Sequence, residues 1–238
     1  MSPTRTYSGW QRRASDNSEQ IEPYRKYYFI CEGANTETWY FRKLIDLRKE
    51  LNIHPLIEIH LLEKTEEDKN LSYPKKLIAF ADSLKCSESQ ISFDSDIDRM
   101  IVVFDADIFE CNVKDYSDVI KDGEKNNILA VTNPSFELFL LLHFENSYET
   151  DIKPNATDII ENKKVGNHRY ICELLKSKTG INSKTNKNIG ELASKVEIAI
   201  MQESKINQDI HQCKGCITSN IGSIISAIQN NKDISSIV

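Results

Sequence analysis

Glu32 follows the apolar run Tyr27-Tyr28-Phe29-Ile30-Cys31, and Asp105 follows Met100-Ile101-Val102-Val103-Phe104, with Asp107 two residues further on. Acids brought together at the ends of buried strands repel one another, so a fold tolerates them only where a cation neutralises the charge. Carboxylate oxygens with open water positions are what Mg²⁺ prefers, and Mn²⁺ accepts the same donors. One or two ions held in this way can activate a water and stabilise the leaving oxygen of a phosphodiester. A lone D-x-D is a weak signal, because acids are common in loops after strands. Its combination with a strand-terminal Glu32-Gly33 is much more specific.

The elements that must position these acids follow from the hydrophobic pattern. Tyr27–Cys31 and Met100–Phe104 are short continuous apolar runs, the pattern of strands buried on both faces of a parallel sheet. Asn35 and Thr36 are placed to cap a helix whose apolar face is Tyr40, Phe41, Leu44, Ile45 and Leu47. Further strands are expected at 56–62 and 128–131, with helices at 73–84, 116–125 and 136–144, the last with Pro134 near its start. Strand and helix alternate, which predicts an α/β fold with a mostly parallel sheet flanked by helices. In such sheets the functional crevice lies at the carboxyl ends of the strands, where Glu32, Asp105 and Asp107 would converge. Residues 25–150 form this expected catalytic domain. Residues 1–24 are polar and aperiodic, the composition of a flexible tail, with Arg5, Arg12 and Arg13 available to an anionic partner. Residues 151–238 read as a helical C-terminal extension, with helical stretches at 167–177, 189–204 and 217–230.

The net charge of −6 is unevenly spread. From Asn162 to Lys214 there are ten Lys or Arg against five Asp or Glu, a net of +5, so the rest carries −11. That asymmetry fits an acidic metal-binding part joined to a basic part able to follow a phosphate backbone, although a solvated lysine-rich surface gives the same count. No run approaches the roughly 18 apolar residues of a membrane helix, and no secretory signal is evident, so a cytoplasmic protein is expected. The six cysteines are scattered and predict no disulfide framework.

The motifs in order resemble a known family. E-G followed by an apolar strand ending in D-x-D is the signature of the Toprim domain. Phe29-Ile30-Cys31-Glu32-Gly33-Ala34-Asn35-Thr36-Glu37, Val103-Phe104-Asp105-Ala106-Asp107 and Thr132-Asn133-Pro134-Ser135-Phe136-Glu137-Leu138 are together similar to the RloB-like family, which is associated with restriction and phage-defence loci. The resemblance implies a Toprim-like fold and an Mg²⁺- or Mn²⁺-dependent nuclease acting on RNA or DNA. Glu32 would serve as general base or acid, and Asp105 and Asp107 as metal ligands. Relatives often act beside a P-loop ATPase; this sequence has no phosphate-binding G-x-x-x-x-G-K-[ST] of its own, so such control would come from a partner. A homo-oligomer is also expected. Relatives frequently place a basic residue at the position of Ala106.

Glu37 and Glu137 each fall in the first turn of a helix, where the dipole favours an acid; either could also be a further metal ligand. Lys184 and Lys187 lie in a polar linker in a region where relatives carry lysines, and are candidate nucleic-acid contacts. His143 reads as a buried, hydrogen-bonded core residue. Cys213 and Cys216, with His211, His168 and Cys172, could form a zinc site, but one C-x-x-C is half a site. Two other function classes compete: a catalytically silent Toprim module that binds nucleic acid or regulates an ATPase, and a phosphotransferase using Asp105 as nucleophile. The second normally carries D-x-D on its first strand, followed by Gly and Thr or Val. Here the motif follows the third strand and precedes Ile108-Phe109.

Overall fold

The computed structural model describes residues 5–7, 25–64, 73–87, 89–109 and 113–232. In chain order the elements are β1 (Arg5–Tyr7), β2 (Arg25–Cys31), α1 (Thr36–Asp46), β3 (Ile57–Glu63), α2 (Pro74–Lys85), β4 (Arg99–Asp105), α3 (Val113–Gly123), β5 (Ile128–Asn133) and α4 (Phe136–Leu141). They continue with α5 (Ala156–Glu161), β6 (Lys164–Val165), β7 (His168–Arg169), α6 (Tyr170–Thr179), a 3₁₀ segment (Lys187–Lys195), α7 (Val196–Glu203), β8 (Thr218–Ser219) and α8 (Ile221–Gln229).

The main sheet has the order β1-β3-β2-β4-β5-β8. Its four inner strands are parallel, and the two edge strands run antiparallel to them. Alternate residues of β2, β4 and β5 supply two cores, as a sheet covered on both faces requires. Tyr27, Phe29, Ile101, Val103 and Ala130 face α1, α4, α6, α7 and α8. Tyr28, Ile30, Val102, Phe104, Leu129 and Val131 face α2 and α3. The α/β fold with a mostly parallel, helix-flanked sheet is therefore the one the apolar runs predict.

Three departures have physical causes. Within the expected tail, Arg5–Tyr7 form an edge strand on β3, with Arg5 opposite Glu63, where the edge of β3 offers free backbone groups; Arg12 and Arg13 lie outside the described residues. The stretch 189–204 is a 3₁₀ segment followed by α7 rather than one helix. The stretch 217–230 begins as a strand, because Thr218 and Ser219 pair with β5 while Asn220 closes the same edge. The Asn220 side chain accepts from Val131 N–H at 2.8 Å and donates to Leu129 C=O at 2.8 Å. The C-terminal residues thus share the core of the sheet, with Ile171, Leu175, Val196, Ile224 and Ile228 buried beside Phe29 and Val103. Among the described residues no helix is long and apolar enough to cross a membrane.

Candidate functional site

β2 and β4 are neighbours with Cys31 opposite Val103, so Glu32 and Asp105 leave the sheet side by side. The Glu32 backbone N–H donates to Val103 C=O at 2.8 Å, and Glu32 Oε2 accepts from the Asp105 backbone N–H at 3.2 Å. Asp105 Oδ1 accepts from Thr132 Oγ1, on the adjacent end of β5, at 2.6 Å. Asp107 begins a 3₁₀ turn anchored by buried Phe109 and remains partly exposed. Ala106 is buried in the core on the α2 and α3 face. A basic residue there would have to leave that core to reach a phosphate.

The electrostatics are those of acids in a confined space. Burial, then the charges of Glu37 and Asp107, push the Glu32 carboxyl up to about 7, against the Asp105 N–H and the Lys64 ammonium. Lys64 donates to the Glu32 backbone carbonyl. Asp105 is raised well above the usual carboxylate range by burial and by the charges of Glu37 and Glu137, which outweigh the Thr132 hydroxyl and Lys184.

Glu37 is buried in the first turn of α1, and its carboxylate lies over Gly33. A Cβ on Gly33 would overlap Glu37 Oε2, so a side chain at position 33 and a carboxylate in this place exclude each other. Burial raises the Glu37 carboxyl, Lys184 opposes that shift and Glu137 adds to it. Glu37 therefore belongs to the acidic group as well as to the helix N-terminus. The capping expected of Asn35 and Thr36 is not what they do. Asn35 makes no side-chain cap bond; its Nδ2 donates to Lys184 C=O at 3.0 Å, and Thr36 Oγ1 donates to Ser183 C=O at 3.0 Å.

Glu137 is fully buried and heavily engaged. Its Oε1 accepts from Lys184 Nζ at 2.7 Å and from Ser183 Oγ at 2.9 Å, and its Oε2 from Ser135 Oγ at 2.8 Å. Burial alone would raise this acid, but Lys184 and the serine hydroxyls hold it below its ordinary value. Lys184 is raised in turn: desolvation works against its charge, and Glu137, Glu37 and Asp105 more than compensate. Lys187 is exposed at the start of the 3₁₀ segment and makes no ion pair among the described residues. The site thus gathers Glu32, Asp105, Asp107, Glu37, Glu137 and Lys184, and leaves Lys187 at its margin.

Several participants carry no signal readable in isolation. Thr132, Ser135, Ser183 and Lys64 join the site only because the ends of β5 and β3 and the 183–184 loop meet there. Cys172 sits beside Glu137, its thiol pushed up to about 12 by burial and then by that charge. It packs on the core of one face, whereas Cys213 is buried on the other, 3.0 Å from the Tyr116 hydroxyl. The residues considered for zinc are therefore split between two faces. The C-x-x-C loop straps the end of β5 instead: Asn133 Nδ2 donates to Cys213 C=O at 2.9 Å and to Cys216 C=O at 2.8 Å. His143 is a core residue, donating from Nδ1 to Phe139 C=O at 3.0 Å and accepting from the Tyr40 hydroxyl at 2.9 Å.

The hard oxygen donors at the rim suit a divalent cation in type, and the mutual repulsion of Glu32, Asp105, Glu37 and Asp107 is what such an ion would relieve. As the side chains stand, no three His, Cys, Asp or Glu among the described residues converge into a ligand cluster. Glu32, Asp105 and Asp107 are the residues that would turn toward an ion.

No curated protein and no solved structure matches the chain. The family model described as RloB-like protein matches residues 27–228, which span both strand-end acids, the Glu137 helix and the Lys184 loop. The chain belongs to the RloB-like family.

Proposed function

We propose that this protein is a divalent-metal-dependent nuclease of Toprim type that cuts RNA or DNA in the cytoplasm as the effector of an antiphage defence system. The observation that carries this reading is the meeting of Glu32 and Asp105 at one rim of a parallel sheet, joined by the 3.2 Å hydrogen bond from the Asp105 N–H. A Mg²⁺ or Mn²⁺ held there by Asp105, Asp107 and Glu32 would supply a Lewis acid and an acidified water. Glu32 would also be the general base or acid at the reacting oxygen, the role that the family resemblance implies for it. Asp105 is fixed for its role by Thr132, and Lys184 brings a positive charge to the same rim. Membership of the family supports a link to defence, and with it an ATPase partner.

The test is to express the parent and Asp105→Asn in cells and sequence the nucleic-acid ends that each produces. The parent should generate new RNA or DNA ends that Asp105→Asn and Glu32→Gln reduce by at least about 100-fold, with folding preserved. Binding of nucleic acid with identical ends in parent and variants would show a silent module instead.

A further inference from the structure

We infer that Cys213 and Cys216 are a reversible redox pair, closed to a disulfide by a peroxide, and that Asn133 carries the state of their loop to the end of β5. The inference does not rest on the nuclease reading. Cys213-Lys214-Gly215-Cys216 is a tight turn: the Cys216 N–H donates to Cys213 C=O at 3.0 Å, and Gly215 takes a φ of 71°, which glycine adopts without strain. Such a turn brings its first and fourth Cα atoms within about 7 Å, the span that a disulfide bridges. The two thiols differ in access. Cys216 is exposed, whereas Cys213 is buried against α3 with Sγ 3.0 Å from the Tyr116 hydroxyl, which donates to Ile210 C=O at 2.6 Å. Burial also pushes the Cys213 thiol up, so Cys216 is the thiol that a reagent in solution meets first.

The chemistry is a two-electron oxidation with hydrogen peroxide as acceptor. The Cys216 thiolate attacks one peroxide oxygen, the O–O bond breaks, and the leaving hydroxide takes up the thiol proton as water. The Cys213 sulfur then attacks the Cys216 sulfenic acid, forming the S–S bond and expelling a second water that carries the Cys213 proton. A small thiol reverses the step by exchange and is itself oxidised to its disulfide. What the loop holds gives this closure a consequence. Asn133 Nδ2 has two protons, and both are committed to the turn, one to Cys213 C=O and one to Cys216 C=O. Asn133 stands between Thr132, which donates to Asp105, and Ser135, which donates to Glu137. On its other side the loop is pinned by His211 Nε2, 3.1 Å from Glu124 Oε1, and by Asn207 Nδ2, which donates to Gln212 C=O at 3.2 Å. A covalent ring closed between these anchors removes freedom from the turn, and through Asn133 from the strand end.

The experiment uses the full chain, reduced and then treated with hydrogen peroxide, with the remaining thiols alkylated in urea before digestion. Lys214 lies between the two cysteines, so trypsin separates residues 206–214 from 215–232, and only a disulfide keeps the two peptides joined. The joined pair should dominate after peroxide and should separate again after a small thiol is added. Amide hydrogen exchange at residues 131–133 should be at least about 3-fold slower in the oxidised protein than in the reduced one. Cys216→Ser, a change at an exposed position, should give neither the joined pair nor the slower exchange. Asn133→Ala should still form the joined pair but lose the difference in exchange; if that variant fails to fold, the parent and Cys216→Ser decide the matter. Recovery of Cys216 as sulfinic or sulfonic acid with Cys213 alkylated overturns the inference, as does Cys216 bridged to Cys86. A joined pair with exchange at 131–133 unchanged overturns the link through Asn133.

Discussion

The Glu32 carboxyl, raised to about 7, still carries a proton in part of the population at neutral pH. A metal must displace that proton, so Mn²⁺ affinity should weaken as pH falls from about 8 to 6, approaching tenfold per unit below the midpoint. Calorimetry across this range checks it, and Glu32→Gln should bind more weakly throughout with a flatter profile. Gly33 makes a second residue-scale prediction. In Gly33→Ala the added methyl must push the Glu37 carboxylate, the far end of a flexible side chain, from its place, so cleavage should fall while stability changes little. Thermal melts and a cleavage assay report the two effects separately. At this scale the acids at strand ends were legible, because an apolar run that stops in a carboxylate marks a sheet rim. Thr36 was not: a hydroxyl before an amphipathic helix reads as a cap, and only the packed loop shows that it bonds to Ser183 instead.

Among the elements, α8 depends on a distant acid. Glu203 is fully buried and accepts from Ser219 Oγ at 2.5 Å, Gly222 N–H at 2.9 Å and Ser223 N–H at 2.8 Å, so it caps a helix whose own N-cap, Asn220, faces the sheet. Burial nevertheless raises its carboxyl from 4.5 to about 7, because these donors, with the Ile221 N–H, only partly oppose desolvation. A carboxyl with a raised folded pKa holds its proton more tightly in the folded state. Its stabilising contribution is present at acid pH and is lost as pH rises through about 7. The Tm should therefore fall between about pH 5 and 8, and Glu203→Gln should flatten that slope. The inner strands were readable from continuous apolar runs, but β8 was not. Two polar residues become a strand only because the edge of β5 accepts them, and the 3₁₀ segment takes its place only because Gly190 admits the backbone of α1.

For the molecule as a whole, the basic stretch 162–214 is built into the same body as the acidic rim. Ile171, Leu175, Ile189 and Val196 fill the core that Phe29 and Val103 begin. A chain truncated after residue 150 should not fold cooperatively, whereas the full chain should melt in one transition; circular dichroism of both decides this. Oligonucleotide affinity should fall linearly with the logarithm of salt, and Lys187→Ala should reduce the slope by about 0.7 for a single strand if this exposed lysine meets one phosphate. The charge asymmetry was visible in composition. That it brings one lysine to the acidic rim was not, because Lys184 reaches Glu137 across 46 intervening positions of chain. The most direct measurement is a crystal soaked in Mn²⁺ and examined by anomalous scattering. One or two peaks liganded by Asp105, Asp107 and Glu32 are expected, with Lys184 still paired to Glu137. A fully soaked crystal with no peak at this rim, or with its manganese bound elsewhere, would contradict the assignment.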